Sequence, residues 1–358
     1  MTWSARSAAI ITLCVALAPQ PRPQSQAPPP ARASAFAAQI ASLSEAPGYF
    51  DTDNLISNER SYLQVLPDLQ RRNVRGGVYL GVGPDQNFSY IADVRPALAI
   101  IVDVRRDNML LHLLFKALFA ASRTRIEYLA LLTGRAVPAA LDEWRQAPIE
   151  RLIAYIDNAK AAPRRMDDAI ARTGVPLSEE DRATIARFHG RFIADGLSLQ
   201  FQSTGRPPQA YNPTFRDLLR ETDASGRQAN YLASEDAFLF LKDLQARDLI
   251  VPVTGDLSGP SAVAAIGRLI ANRRERVSAF YVSNVEFYLF SAGTFPRFVA
   301  NLERLPRGEH SVLIRSFFGR FAARARPSDA SSQQIQPVAE LLREYAAGRI
   351  RSYADLTR

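Results

Sequence analysis

The stretch Gly77-Val-Tyr-Leu-Gly-Val-Gly-Pro-Asp-Gln-Asn-Phe88 decides how the chain is read. Val78 to Gly83 is a short apolar strand closed by glycines, and Pro84 to Asn87 is a turn that feeds a helix over Phe88–Asp93. A second run, Leu98 to Val104, is apolar throughout except for Asp103 near its end. A strand with no polar alternation is covered on both faces, as in parallel sheets. Asp107–Phe119 then reads as a largely buried helix. Strand, glycine turn, helix, strand and helix within about 45 residues make a βαβ unit.

Downstream, residues 123–230 offer no convincing strand. Helical stretches there are interrupted at Pro138, Pro148, Pro163 and Gly174-Val175-Pro176, and Ser178–Asp181 has the form of a helix start. The pattern predicts a helical insertion. The α/β rhythm resumes with a helix capped by Ser234 and running through Arg247. Then come a strand at Leu249–Val253, a helix over 260–274, a strand at Val277–Val282 and a helix at Phe295–Leu305. A strand at Ser311–Phe317 and a helix at Val338–Ala347 close the chain. Upstream, Phe36, Ile40 and Leu43 share one helical face. Asp53-Asn54 is a candidate cap for a second helix carrying Tyr62, Leu63 and Leu66, with Pro67 and Arg71-Arg72 ahead of a break.

With 358 residues, 47% of them hydrophobic, the chain builds a substantial core without staples. The formal charge is +8, yet Lys116, Lys160 and Lys242 are the only lysines. The positive charge is diffuse arginine, with no basic run interleaved with surface aromatics. It speaks to solubility, and no nucleic-acid partner is expected. The single cysteine, Cys14, falls in the apolar N-terminal run, so a mature form starting beyond it has no thiol for a disulfide or a metal. His112, His189 and His310 show no ligand spacing; neither a metal nor a Ser-His-Asp hydrolase is expected.

Residues 1–33 resemble an export segment. One arginine precedes an apolar run, Ser7 to Ala18, of secretory-signal length and short for a membrane span. A Pro/Gln-rich linker, Pro19 to Pro30, follows, and Ala31-Arg32-Ala33 has a cleavable small-x-small form. The expected product is exported, periplasmic or membrane-tethered, touching a membrane only through this segment. The alternative is a cytoplasmic protein whose translation begins later.

Glycines at 81 and 83 let a ligand approach backbone at a helix N-terminus. Asp103 stands about 20 residues further on, at the end of the next strand, where a carboxylate accepts ribose hydroxyls. Together they point to a small-molecule ligand of nucleoside type.

The chain resembles class I S-adenosylmethionine-dependent methyltransferases, and within them a bacterial methyltransferase-like family. The matching stretches are Tyr49–Glu59 (Tyr-Phe-Asp-Thr-Asp-Asn-Leu-Ile-Ser-Asn-Glu), Gly77–Phe88, Ile100–Arg106 and Tyr281–Leu289. The resemblance covers most of the α/β part but not the middle segment, and it implies an α/β fold, a Rossmann-like methyltransferase-type sheet with helices on both faces over residues 75–358. The sequence pattern adds the helical insertion at about 123–230 and N-terminal helices in 34–74. The resemblance also implies S-adenosylmethionine as cofactor. Gly81, Gly83 and the Pro84–Asn87 turn, with Asp85 and Asn87, would face its methionine and ribose, Asp103 the ribose hydroxyls, and Asp256 the adenine amino group. Asn284 and Glu286 would face a methyl acceptor that the sequence does not identify. The glycine turn departs from the family pattern, with Tyr79 where an acid is usual and Asp85 where a third glycine is usual.

Plainer readings stay open beside these. Asp103 pairs with Arg105 or Arg106, Asp256 makes an Asx turn, Glu286 forms an ion pair, and Asp51, Asp53, Asn58 and Glu59 either cap a helix or close the pocket. His112 reads as a core histidine. The competing function is an exported, non-enzymatic binding protein on a degenerate methyltransferase scaffold. A dinucleotide-dependent dehydrogenase comes third.

Overall fold

The apolar runs at 78 and 98 pair as neighbouring parallel strands, and the remaining sheet is built outward from them. The structure is a computed structural model that describes Met1 and residues 34–357, apart from Asp53, Pro208, Arg324, Pro327 and Ser328. The expected export segment, and Asp53 as a cap, therefore fall outside the described residues.

The chain enters through α1 (Ala35–Leu43), a 3-10 turn at Arg60–Leu63 and α2 (Leu66–Arg71). Next come β1 (Val78–Gly81), α3 (Gln86–Val94), β2 (Leu98–Asp103) and α4 (Arg106–Ala121). The predicted helical segment holds α5 (Arg125–Leu132), α6 (Ile149–Asn158), α7 (Asp167–Ala171), α8 (Glu179–Asp195) and α9 (Phe215–Arg220). After it follow α10 (Glu235–Ala246), β3 (Ile250–Thr254), α11 (Ala262–Asn272), β4 (Val277–Ser283) and α12 (Val285–Ser291). The last elements are α13 (Phe295–Arg304), β5 (Arg307–Phe318), β6 (Ser331–Pro337) and α14 (Val338–Ala346).

The six strands form one mixed sheet in the order β3-β2-β1-β4-β5-β6. The first five are parallel and β6 runs antiparallel to β5. Every residue of β1 and β3 is buried, which is why these strands read as unbroken apolar runs. The succession β1, β2, β3 moves outward on one side, and β4 returns to the other side of β1. The switch point lies between β1 and β4, where a crevice opens at the carboxyl ends of parallel strands. One side of the core is an aromatic cluster in which Phe88 of α3 meets Phe115 and Phe119 of α4 edge-on, at 5.6 and 5.5 Å.

The sequence reading needs three corrections. Residues 55–59 are not a helix; their backbone crosses the sheet edge so that Leu55, Ile56 and Glu59 are buried. Tyr62 and Leu63 fall in the 3-10 turn and not on one helix with Leu66, which opens α2; there Pro67, in the first turn, has no helical amide to lose, and the helix ends at Arg71, ahead of the expected break. The strand β6, Ser-Ser-Gln-Gln-Ile-Gln-Pro, escapes an apolar search because its side chains serve a polar network. Residues 33–358 form one compact unit, so the segment 34–74 belongs to the same body as the sheet. No helix among the described residues is long and apolar enough to cross a membrane.

Candidate functional site

At the end of β1 the backbone is crowded. A Cβ on Gly81 would sit 1.9 Å from Asn87 Oδ1, so only glycine fits there. Asn87 is fully buried. Its Nδ2 donates to the carbonyls of Val82 and Pro84, both at 2.8 Å, and its Oδ1 accepts from the Tyr79 hydroxyl at 2.8 Å. The side chain thus staples the glycine turn from beneath. Tyr79 supplies the staple's donor. Gly83 has φ of +83° and lines the crevice.

His112 of α4 buttresses the same turn, donating from Nε2 to the Gly83 carbonyl at 3.0 Å. Burial lowers its pKa to about 4 against that hydrogen bond, so the ring is neutral. Asp85 turns inward, where the Tyr231 hydroxyl donates to it at 3.1 Å, and burial raises its pKa to about 7.

A strap covers the sheet edge from residue 44 to 59. Its first anchor is Glu45, whose carboxylate accepts the amides of Asp256, Ser261 and Ala262 and the Ser261 hydroxyl. Burial pushes this carboxyl up, but the hydrogen bonds outweigh it and hold the pKa below the ordinary value. The Gly48 amide then donates to the Val104 carbonyl at 2.8 Å. The second anchor is Glu59, 1% exposed. Tyr281 donates to its Oε2 at 2.7 Å and Gln333 at 3.0 Å, Ser316 donates to the same oxygen, and Ser283 donates to Oε1. Burial raises the Glu59 pKa, and these donors offset that only in part.

Under the strap is a cavity of about 360 Å³. Gly83 lines it from the turn after β1 and Gln86 from α3, Asp103 from the end of β2 and Arg105 just beyond it, Asp256 from the β3 loop, and Ser283 and Asn284 from the end of β4 and the residue after it. Gln86 is 6% exposed, and its Oε1 has no hydrogen-bond partner among the described residues. Ser283 and Asn54, both lining residues, have φ of +52° and +46°, a conformation that costs a non-glycine residue of order 1–3 kcal/mol. A larger groove of about 700 Å³ adjoins the cavity, and Tyr49, Phe50, Thr52, Asn58, Asn284 and Tyr288 line both.

The site residues expected from sequence divide accordingly. Gly83, Asp103, Asp256 and Asn284 converge on the cavity. Gly81, Asp85 and Asn87 do not line it; they form the packing beneath the turn, so their expected contact with a cofactor is corrected to a supporting role. Glu286 is also corrected. It is 1% exposed and paired with the wholly buried Arg315, away from either cavity.

Asp103 Oδ1 accepts from the Arg105 amide (2.9 Å) and Nε (3.3 Å), and Oδ2 from Nη2 (3.3 Å). With about two acceptor sites per oxygen, Oδ2 has one left for a ligand. Asp256 makes the Asx turn through Oδ1 to Ser258, and its Oδ2 carries no hydrogen bond from a described residue. Among the described residues no group of three or more His, Cys, Asp or Glu converges as a metal site.

Sequence reasoning placed Gln86 in the cofactor-facing turn and left Glu59 as either a helix cap or a residue closing the pocket, which it lines; it missed Glu45 and the aromatic groove. Glu59's only trace was its place at the end of Tyr49–Glu59, since its four partners come from three distant strands.

No curated protein matches the chain. One family model matches residues 54–162 and 199–349, which takes in the strap from Asn54, all six strands and the crevice, and leaves α7 and α8 between its two segments. The chain therefore belongs to the family described as a domain of unknown function, DUF7790.

Proposed function

We propose that the crevice is an S-adenosylmethionine pocket in a methyltransferase-like protein. The sheet order and the glycine turn support reading the α/β fold as a Rossmann-like, methyltransferase-type one. The observation that carries the functional reading is the junction of two cavities of different character at the switch point. One gathers polar groups from the strand ends, Asp103, Asp256, Ser283 and Asn284; the other adds Phe287, Phe321 and Tyr353 to the aromatic rings that the two share.

The residues present fit the cofactor. Gly83 has no side chain to keep a ligand from its backbone, Asp103 Oδ2 would accept one ribose hydroxyl, and Asp256 Oδ2 would accept from the adenine amino group. The unpartnered Gln86 Oε1 offers one more acceptor. S-adenosylmethionine, when bound, supplies a methyl group on a positively charged sulfur. The chain's own part is to hold an acceptor in line with it and exclude water, a task of positioning that requires no dedicated base. Asn284 lines both compartments and is the residue placed to orient the two ligands against each other.

Calorimetric titration of the protein with S-adenosylmethionine tests the reading. We expect saturable binding, weakened about tenfold or more in Asp103→Ala, the loss of one charge-assisted hydrogen bond. Binding no tighter than millimolar would remove the cofactor from the proposal.

A second reading is a non-enzymatic binding protein on the same scaffold. It is favoured by Arg105, which clasps Asp103, and by the Glu45 carboxylate seated at the start of α11. Export would add to it by separating the protein from a cytosolic methyl donor. Sequencing the mature N-terminus from fractionated cells decides that point: a cytoplasmic product removes the argument from export.

A further inference from the structure

The larger groove has a chemistry of its own. Its wall is a connected set of rings in which each meets the next edge-on. Phe50 and Tyr288 are 4.8 Å apart between centroids, Tyr288 and Phe287 5.3 Å, Phe287 and Tyr353 5.4 Å, and Tyr353 and Phe321 4.9 Å. The short helix α12 explains why the wall faces outward. It buries Glu286 against Arg315 and Leu289 against the core, which leaves Phe287 and Tyr288 39% and 42% exposed. Tyr353, 7% exposed, backs the wall, while Phe287 and Tyr288 present exposed aromatic surface to the groove, as binding surfaces do.

The groove's two arginines differ in a way that selects the ligand. Arg206 is held by Asp51 at 2.7 Å. Arg320 is exposed, lies 4.9 Å over the Phe321 ring, and has no carboxylate partner among the described residues. A guanidinium fixed on a ring with its remaining donors open is preorganised for a planar anion. A neutral sugar also stacks on aromatic rings, but it would leave that cation without a counter-charge.

We infer that the groove takes a planar aromatic carboxylate, its ring against the Phe287–Tyr288–Phe321 wall and its carboxylate on Arg320. Asn284 meets the part of the molecule nearest the crevice. As a statement about which molecule receives a methyl group, this rests on the crevice reading above; as a statement about binding it does not.

The test is calorimetric titration of the full chain with 4-hydroxycinnamate, alongside its neutral amide, cyclohexanecarboxylate and a soluble cello-oligosaccharide. The aromatic acid is expected to bind with saturation. Arg320→Ala is expected to weaken it roughly tenfold, as loss of a charge-assisted pair does, while the thermal melt stays unchanged because the side chain is exposed. Phe287→Ala weakens it as well, and the amide and the saturated acid bind more weakly than the aromatic acid.

The inference is overturned if the oligosaccharide binds in preference, if the amide equals the acid, or if Arg320→Ala leaves the affinity intact. Asp103→Ala separates the two proposals, since it should not alter binding of the aromatic acid. Aromatic-acid binding without S-adenosylmethionine binding defeats the cofactor reading alone. The converse defeats the groove assignment alone.

Discussion

Replacing Asp85 by asparagine should make the protein's stability less sensitive to pH in a defined window. The side chain is 4% exposed and receives one hydrogen bond from a side chain, from the Tyr231 hydroxyl. Burial is the dominant influence, and it carries the carboxyl from the ordinary 3.8 to about 7, with the Tyr231 bond opposing. The native state therefore keeps a proton that the unfolded chain releases. Stabilisation from this group is fully present below the unfolded pKa and is lost as pH rises through the folded one.

The whole shift, about 3 units, corresponds to roughly 4 kcal/mol at about 1.4 kcal/mol per unit. Between about pH 5 and about pH 8 the loss amounts to roughly 2–3 kcal/mol. Asparagine has the same shape and accepts the same bond, but it does not titrate. Urea unfolding of both proteins at the two pH values, followed by circular dichroism and by fluorescence, measures the difference. The wild type should lose roughly 2–3 kcal/mol relative to Asp85→Asn on going to the higher pH. Glu59 and the other titrating groups are common to both proteins and drop out. Parallel stability curves would refute the picture of a neutral carboxyl buried beneath the glycine turn.

Glu286→Ala strands the Arg315 guanidinium inside the protein with Gln336 as its remaining side-chain partner, and should cost about 3–5 kcal/mol, read as a large fall in the thermal midpoint. Gly81→Ala places a methyl group 1.9 Å from Asn87 Oδ1, so the staple must move; roughly 2 kcal/mol or more of stability should be lost, and ligand affinity at Gly83 with it. A Gly81→Ala protein that melts with the wild type would mean that the turn is looser than its packing indicates.

How much of this was legible in the sequence depends on the range of the forces involved. The paired runs Val78–Gly83 and Leu98–Asp103 announced themselves because a strand covered on both faces must be apolar at every position, and that requirement is local. The same is true of the proline-broken helical segment and of Ser178 and Ser234, whose hydroxyls cap the helices that follow them.

Tertiary structure alone decided what the polar residues do. Asp85 and Asp103 each close a strand or turn in the same style, yet one is buried against a tyrosine and the other lines the crevice. Glu59, open in the sequence between capping a helix and closing the pocket, lines the crevice and is the hub that ties the strap to β4, β5 and β6. The strand β6 hid because Gln333 serves that buried carboxylate in place of an apolar core. Hydrophobic burial leaves a periodic mark on the chain, whereas a hydrogen bond between residues hundreds of positions apart depends on a direction that only the folded backbone supplies.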